Sequence, residues 1–282
     1  MSVSLRCYST SLGCPKNRVD TERLLGSLGV ALVPVESPDE AELVFINTCA
    51  FIQPATEESV RTIAQAIADI EELPKRPLLA VAGCLVGRYH AEDLAPELPE
   101  VDLWLDNSDL EAWPAMLARK LGLPEPTVPG RILSTGPSYA WLKISDGCRH
   151  ACSFCAIPNI RGGHRSHCKD MIVREARALL DQGVKELNLV AQDLTEWGCD
   201  LDGKQDLRTL LDGLLPLPGL ERLRLMYLYP AGMTHEMLKY LREAGKPFVP
   251  YFDVPVQHSH PDVLSRMGRP FARNPREAID RI

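Results

Sequence analysis

Three cysteines in one short stretch constrain this chain more than any other feature of its sequence. Cys148, Cys152 and Cys155 are spaced C-x3-C-x2-C. Three close thiolates suit an iron–sulfur cluster, because each can ligate one iron and leave a fourth iron open to a small molecule. A structural zinc site needs a fourth ligand, which His150 or His167 could supply. We interpret the stretch as an iron–sulfur loop, with a zinc knuckle as the alternative.

Composition sets the broad class of the chain. It has 282 residues, 45% hydrophobic and 24% charged, which is typical of a globular protein with room for two domains. No apolar run is long enough to span a bilayer, and residues 1–12 show no signal-peptide pattern. Nine cysteines in such a chain favour a reducing, cytoplasmic compartment and metal ligation over disulfides. The net charge of −7 argues against a dedicated nucleic-acid surface.

Short apolar strands alternate with amphipathic helices in the first 121 residues. The hydrophobic pattern predicts strands at 5–9, 31–35, 43–46, 78–82 and 101–105. It predicts helices at 19–28, 54–72, 87–94 and 110–121. This alternation indicates an open, mostly parallel α/β sheet.

Three more cysteines, Cys14, Cys49 and Cys84, each lie just past the end of a predicted strand. Because the carboxyl ends of parallel strands share one edge of a sheet, thiols far apart in sequence can converge there. Gly13 and Gly83 precede two of them, and glycine permits close backbone approach. Three cysteines in the same structural position favour a second cluster over three small buried apolar side chains.

The remaining three cysteines show no ligand pattern. Cys7 lies within a predicted strand, which favours packing in the core. Cys168 and Cys199 match no ligand spacing, so we interpret both as incidental.

A boundary is predicted at residues 122–138, where proline and glycine are frequent and periodicity is absent. The strand–helix pattern restarts at residue 139. Repeated βα units predict a barrel-type sheet, with strands at 140–144, 186–191, 220–228 and 248–254 and helices at 170–182, 207–215, 234–244 and from 261. Four units cannot close a barrel, so we expect a fragment or a truncated gene product. An open half-barrel completed by a partner is the alternative.

Polar side chains follow the strands of the second domain. Gln192, Asp193, Gln257 and His258 are expected to contact a cofactor or the substrate. The alternative is a solvated strand end, and Asp193 could instead cap the next helix.

Side chains in and after the cysteine loop carry weaker expectations. Phe154 is expected to shield a cluster, and His150 to face solvent. Arg161 and Arg165 could pair with a substrate carboxylate, although surface acids are the favoured partners.

Over essentially its whole length the chain resembles the methylthiotransferase branch of the radical S-adenosylmethionine (radical SAM) enzymes. The resemblance is carried by LGCPKN at 12–17, NTCAFI at 47–52, GCL at 83–85, the segment 146–162, QD at 192–193, YLYP at 227–230 and DVPVQH at 253–258. The CPKN, YLYP and QH motifs are more similar to the enzymes that modify a ribosomal protein than to those that modify tRNA. His167, Cys168 and Trp197 depart from the family pattern, and the last barrel strands and the C-terminal TRAM domain are missing.

The resemblance implies a fold and cofactors. The expected fold is an N-terminal open parallel α/β sheet domain at 1–121, then a linker at 122–138 and an incomplete radical SAM (βα) partial TIM-type barrel at 139–282. The expected cofactors are two 4Fe–4S clusters and S-adenosylmethionine (SAM). The SAM-cleaving cluster would be held by Cys148, Cys152 and Cys155, and an auxiliary, sulfur-carrying cluster by Cys14, Cys49 and Cys84.

The implied activity is transfer of a methylthio group to the β-carbon of an aspartate in ribosomal small-subunit protein twelve. The implied partners are that protein and a reductant such as a flavodoxin, with no membrane. No catalytic acid or base is assigned, because the cofactors supply the difficult chemistry. One alternative is methylthiolation of a tRNA adenosine, the only reading with a nucleic-acid partner. Another is a non-catalytic metal-binding module.

Overall fold

Two compact units make up the chain in the computed structural model, which describes residues 4–271 and 273–282. The N-terminal unit runs to residue 134 and also includes 159–161. The C-terminal unit comprises 135–158 and 162–282. Within the described ranges, no helix combines the length and the apolar character needed to cross a membrane.

A five-stranded parallel sheet forms the centre of the N-terminal unit. Its strands are β1 (Ser4–Ser11), β2 (Ala31–Pro34), β3 (Leu43–Thr48), β4 (Leu78–Gly83) and β5 (Leu103–Leu105). Their order is β2-β1-β3-β4-β5, so the three strands that precede cysteines are neighbours. Strand β3 is buried along its whole length, which explains its continuous apolar run without alternation.

Five helices connect or follow these strands. They are α1 (Pro15–Ser27), α2 (Gln53–Ile70), α3 (Cys84–Tyr89), α4 (Ala91–Leu94) and α5 (Trp113–Leu121). Helices α1 and α5 contribute Leu24, Leu25, Trp113 and Leu117 to one core cluster with Phe45 of β3. Burial of such side chains stabilises the unit by roughly 1.5–3 kcal/mol each.

Two helix predictions in this unit were wrong in their bounds. Helix α1 begins at Pro15 rather than at residue 19, because Lys16 and Asn17 are buried polar residues that obscure the apolar stripe. The helix predicted at 87–94 is two short helices, and it starts earlier, at Cys84. His90 separates them, since its φ of 60° is incompatible with a continuous helix.

The C-terminal unit has a four-stranded parallel sheet and a two-stranded antiparallel ribbon. The strands in chain order are β6 (Tyr139–Lys143), β7 (Ser145–Asp146), β8 (Arg165–Ser166), β9 (Glu186–Val190), β10 (Arg222–Leu225) and β11 (Phe248–Phe252). The sheet has the order β11-β10-β9-β6, and β7 pairs with β8 in the ribbon.

The helices of this part of the chain are α6 (Ile157–Arg161), α7 (Lys169–Asp181), α8 (Leu207–Leu214), α9 (His235–Ala244), α10 (Pro261–Arg266) and α11 (Pro275–Asp280). Thr234 caps α9 as predicted, since its side chain accepts from the Met237 N–H at 3.2 Å. The predicted strand 220–228 is only β10, and Tyr227 beyond it has a φ of 65°.

These elements confirm the predicted fold class, an open parallel α/β sheet followed by βα units of a partial barrel. The ribbon, α6 and α11 were not predicted. The first two lie in the cysteine loop and just after it, where apolar periodicity is absent.

Candidate metal centres

Cys14, Cys49 and Cys84, here called the N-terminal trio, follow the carboxyl ends of the adjacent strands β1, β3 and β4. Cys14 is the N-cap of α1, and Cys84 is the first residue of α3. Cys49 lies four residues before α2 begins at Gln53. Helix N-termini carry partial positive charge, so this edge of the sheet favours thiolates.

The electrostatics show that the trio converges. Burial raises the pKa of the Cys49 thiol, and the neighbouring Cys84 and Cys14 raise it further. Burial also acts to raise the pKa of Cys14, but Lys16, Arg161 and the N–H groups of Asn17 and Lys16 reverse the direction and lower it. Thiols that repel one another in this way share one site, and a bound cation would relieve the repulsion.

Gly13 allows the close approach of two of these cysteines. Its φ is +81°, and a Cβ atom there would lie 2.6 Å from Cys49 Cβ and 2.7 Å from Cys49 Sγ. No side chain fits in that space, so the turn before Cys14 requires glycine, in agreement with the sequence analysis.

Ser59 and Asn17 hold the loops of the trio from inside the unit. Ser59 Oγ accepts from the Cys49 N–H at 3.0 Å and donates to the Cys49 carbonyl at 2.7 Å. Asn17 is fully buried and lies with its Oδ1 3.7 Å from Cys84 Sγ. On the other side, Asn107 Nδ2 lies 3.8 Å from the same sulfur. Neither asparagine was predicted as a site residue, although Asn17 is the last residue of the CPKN motif.

Cys148, Cys152 and Cys155, the loop trio, lie on a loop fastened at several points. The Cys148 N–H donates to the Gly162 carbonyl at 3.2 Å, and the Cys155 N–H to the Cys152 carbonyl at 3.0 Å. Between them, Ser153 donates from Oγ to the Arg266 carbonyl at 2.8 Å. These hydrogen bonds fasten the loop to Gly162 and to the end of α10.

Charge also accumulates at the loop trio. Burial raises the pKa of Cys148, and Asp193, Cys155 and Cys152 add to this direction, whereas the His150 N–H opposes it. A cation at this position would remove the penalty on three neighbouring thiolates.

A buried ion pair supports the start of this loop. Lys143 Nζ lies 2.9 Å from Asp146 Oδ1, and both side chains are under one-tenth exposed. His167 Nε2 contacts the other oxygen of Asp146 at 3.1 Å. His167 is thus engaged with a carboxylate.

His150 does not face solvent as predicted. Its Nε2 lies 2.7 Å from Asp193 Oδ2, and its ring stacks on Tyr229 with centroids 4.0 Å apart. Asp193 is buried, and its Oδ1 accepts from the Thr195 N–H at 2.8 Å. Asp193 caps a short 3-10 turn at Leu194–Glu196 rather than the next predicted helix, and a solvated position is wrong for this residue. Its contact with a cofactor or the substrate stays a prediction. The pair joins the cysteine loop to the end of β9.

The other predicted contact residues are Gln192, Gln257 and His258. No hydrogen bond within the described part of the chain joins them to one another. Gln192 is partly buried at the end of β9, whereas Gln257, with a φ of 75°, and His258 are exposed after β11. Their roles stay predictions. Phe154 is 46% exposed and lies beneath the Arg269 guanidinium at 5.5 Å.

Arg161 pairs with a buried acid rather than with surface acids as favoured by the sequence analysis. Its NH1 and NH2 groups lie 3.2 Å from Asp20 Oδ2, and both side chains are 2% exposed. Its NH2 also donates to Asn17 Oδ1. Arg165 is exposed at the start of β8.

The spacing of the thiols separates the two kinds of metal site. Ligands of a tetrahedral zinc ion, at Zn–S distances of about 2.3 Å, lie about 3.8 Å apart. Among the described residues, the sets of three ligand atoms that all lie within 4.8 Å of one another include neither trio. In each trio at least one sulfur–sulfur distance therefore exceeds 4.8 Å, which is longer than an edge of a zinc tetrahedron.

The three remaining cysteines differ in environment. Cys7 is buried in the core as predicted, and burial raises its pKa to about 12. Cys168 is exposed. Cys199 is exposed too, yet it lies within 4.8 Å of ligand atoms of His164 and Asp200, a grouping that its sequence spacing did not indicate. The Arg149 side chain also hydrogen-bonds to Cys199, so this group of ligand atoms already has a positively charged neighbour.

Comparison with known families assigns the C-terminal half of the chain to a superfamily. A family model described as the radical SAM superfamily matches residues 142–282, half of the chain. The chain belongs to the radical SAM superfamily. Residues 6–106 of this radical SAM protein match a second model, described as uncharacterized protein family UPF0004.

Several curated relatives of this radical SAM protein carry the name ribosomal protein uS12 methylthiotransferase RimO. The relative from Nitratidesulfovibrio vulgaris (strain DP4) is 69% identical over 275 residues, 98% of this chain and 64% of its own. That from Lawsonia intracellularis is 61% identical over 282 residues, 100% of this chain and 64% of its own. The expected resemblance to radical SAM methylthiotransferases is confirmed. The chain spans about 64% of the length of these relatives.

A solved structure shows the same fold at low identity. The radical S-adenosylmethionine methyltransferase TsrM from Kitasatospora setae, with cobalamin and a [4Fe-4S] cluster bound, aligns with a TM-score of 0.64 and 14% identity. The alignment covers 100% of this radical SAM chain and 67% of TsrM. At this identity the likeness supports the fold alone.

Proposed function

We propose that this radical SAM chain carries the catalytic part of a methylthiotransferase that modifies the β-carbon of an aspartate in ribosomal protein uS12. The observation that carries the proposal is 69% identity, over 98% of the chain, to a relative named for that activity. The two separate trios of convergent thiols support it, because sulfur insertion by this family needs a SAM-binding cluster and a second, sulfur-carrying one.

The loop trio would hold a 4Fe–4S cluster with one open iron, and the N-terminal trio a second cluster of the same kind. The N-terminal trio supplies three thiolates after strand ends, and the loop trio supplies three from one loop. In neither trio do all three sulfurs lie within 4.8 Å of one another, as ligands of a single zinc ion would. When bound with SAM, such a cluster supplies a radical that removes hydrogen from an unactivated carbon, a step unavailable to acids and bases.

The protein's own residues would position and shield these reactants. The Asp193–His150–Tyr229 contact fixes the middle of the cysteine loop to the end of β9. Gln192, at the same strand end, is a proposed contact for SAM, as are Gln257 and His258 after β11. Exposed Arg165 is a proposed partner of the substrate carboxylate, since Arg161 is already buried against Asp20.

Because the proposed substrate is a ribosomal protein, the proposed location of the enzyme is the cytoplasm. A reductant protein such as a flavodoxin would supply the electron for SAM cleavage. The negative net charge of −7 would favour a basic ribosomal protein over tRNA as the binding partner.

Anaerobic reconstitution and product mass test the proposal. The chain with uS12, SAM and dithionite should bind about eight irons, four for each cluster, cleave SAM and add a methylthio group to uS12. Zinc binding alone would make the chain a non-catalytic module. SAM cleavage with unmodified uS12, or with modified tRNA instead, would overturn the substrate assignment.

Alanine variants separate the two clusters. Replacing Cys148, Cys152 and Cys155 should halve the iron content and abolish SAM cleavage. Replacing Cys14, Cys49 and Cys84 should also halve the iron content, but it should leave SAM cleavage and abolish methylthiolation. Cys168→Ala is the matched control, because this cysteine is exposed and outside both trios.

A further inference from the structure

Arg161 is a buried cation whose charge reaches the N-terminal trio. It is the last residue of α6, and it groups with the N-terminal unit. Its side chain is 2% exposed, against Asp20 at 3.2 Å and Asn17 Oδ1. Removing an arginine and an aspartate from water is costly, and a hydrophobic pair of the same volume often stabilises a fold as well. Its burial therefore calls for an explanation beyond packing.

The guanidinium of Arg161 lies close to the N-terminal trio. Its NH2 donates to the Oδ1 of Asn17, which belongs to the same turn as Cys14. The same Oδ1 lies 3.7 Å from the Cys84 sulfur. A buried positive charge is therefore only one side chain away from a ligand of the proposed cluster.

The counter-ion of Arg161 is Asp20, whose Oδ2 accepts from NH1 and NH2 at 3.2 Å. The guanidinium is also the group of this pair that donates to Asn17 Oδ1, beside the Cys84 sulfur. In a buried site such a pair changes the local potential more than it would in water.

We infer that Arg161 raises the reduction potential of the cluster held by Cys14, Cys49 and Cys84, with Asp20 limiting the effect. This inference rests on the proposed cluster at that trio. Reduction adds one negative charge to a cluster, and a fixed cation nearby stabilises the more negative state. Charge and hydrogen bonding around a cluster are the levers by which a protein sets its potential.

Redox titration of four variants tests this role. The full chain, with Cys148, Cys152 and Cys155 replaced by alanine so that only one cluster contributes, is reconstituted and titrated with dithionite under electron paramagnetic resonance. Arg161→Gln should make the ratio of reduced to oxidised cluster at a fixed potential about tenfold smaller, equivalent to ~59 mV for one electron. Asp20→Asn should shift the ratio in the opposite direction. Arg161→Lys should lie between wild type and Arg161→Gln.

The outcomes distinguish this inference from the proposed function. If the chain with Cys148, Cys152 and Cys155 replaced by alanine binds no iron, the proposed cluster at the N-terminal trio is wrong. A chain that binds about four irons, with the same potential in all four variants, overturns the role of Arg161 alone. A merely structural Arg161–Asp20 pair would lower the unfolding free energy of the apoprotein in both single variants. Such a structural pair would not shift the reduction potential of the cluster in opposite directions in the two variants. A shift of the same sign in Arg161→Gln and Asp20→Asn would therefore also overturn the inference.

If Arg161→Gln does not retain iron, the reduction potentials of Asp20→Asn and Arg161→Lys still test the role of Arg161. Both keep a cation at position 161, and the double variant Arg161→Gln with Asp20→Asn restores neutrality without an unpaired buried charge. The double variant should show a potential below that of Asp20→Asn. Equal potentials in these two variants would contradict the inference.

Discussion

Asn17 Nδ2 donates to the Thr48 carbonyl at 2.8 Å, which fastens the start of α1 to the end of β3, one residue before Cys49. The same amide donates to the Leu12 carbonyl at 2.9 Å. One side chain therefore ties together the two turns that carry Cys14 and Cys49. The asparagine therefore helps to fix the spacing of the site.

Asn17→Ala should consequently loosen the N-terminal trio. It leaves two buried carbonyls without this donor, which costs about 1–3 kcal/mol of unfolding free energy. Urea denaturation of the apoprotein measures the loss, and iron content should fall by up to half after reconstitution. Asn159→Ala is the control, because this asparagine is exposed. Equal stability of the two variants would contradict the assignment.

Gly13→Ala should be more damaging than an equivalent change elsewhere. The new Cβ would lie 2.6 Å from Cys49 Cβ at a φ of +81°, so the cost combines backbone strain with a steric clash. We expect a loss of about 2–4 kcal/mol in urea denaturation. At Gly29 the φ is +68° but a Cβ would meet nothing within 4 Å, so Gly29→Ala reports strain alone, about 1 kcal/mol. Similar losses for both would show that the close approach to Cys49 is unimportant.

His150→Ala should free the middle of the cysteine loop. It removes the stack on Tyr229 and one partner of the buried Asp193 carboxylate, at a cost of about 1–3 kcal/mol. Iron retained by the loop trio should fall on dilution into chelator, while iron of the N-terminal trio stays. His235→Ala, at an exposed helix position, is the control. Unchanged iron retention would rule out a role in holding the loop.

Glu186 should give the C-terminal unit an acid-sensitive contribution to stability. Burial acts to raise its pKa, but hydrogen bonds from Arg224 and Arg222 outweigh this and lower it below the ordinary value of 4.5. Because the folded-state pKa is depressed, the contribution is present above about pH 4.5 and is lost as pH falls through the lowered value.

Glu186→Gln tests that contribution. The variant should be less stable than wild type by about 1 kcal/mol at pH 7, and the difference should shrink as the pH falls below 4.5. Urea denaturation across this pH range measures both. Glu221→Gln is the control, since its ion pair with Lys185 is 3.9 Å long and exposed. A difference that grows toward acid pH would contradict the sign of the shift.

Sequence patterns could place the strands and both sets of cysteines, because each depends on local spacing. Cys14 and Cys84 each follow a predicted strand and a glycine, and a parallel sheet then gathers strand ends whatever the intervening sequence. Paired strands β1, β3 and β4 bear this out for the fold, while metal ligation stays a prediction.

Contacts between distant polar residues could not be predicted in this way. Arg161 meets Asp20 across 141 positions, and His150 meets Asp193 across 43. No periodicity records such pairs, so an arginine near a motif looks like a surface residue until its partner is known. Buried polar residues at the start of α1, such as Lys16, likewise contradict the apolar stripe on which helix bounds are predicted.

The order of strands implies an order of assembly for the two sites. Cys14, Cys49 and Cys84 meet only after β1, β3 and β4 have paired, so their capacity to capture iron arises with the tertiary structure. Cys148, Cys152 and Cys155 are neighbours in sequence already, although Asp193, Tyr229 and Arg266 hold their loop in the folded chain. A peptide of residues 143–163 should therefore bind iron and sulfide more weakly than the folded chain, whereas one spanning Cys14 alone should bind none. Folding would strengthen the later site and would be indispensable for the earlier one.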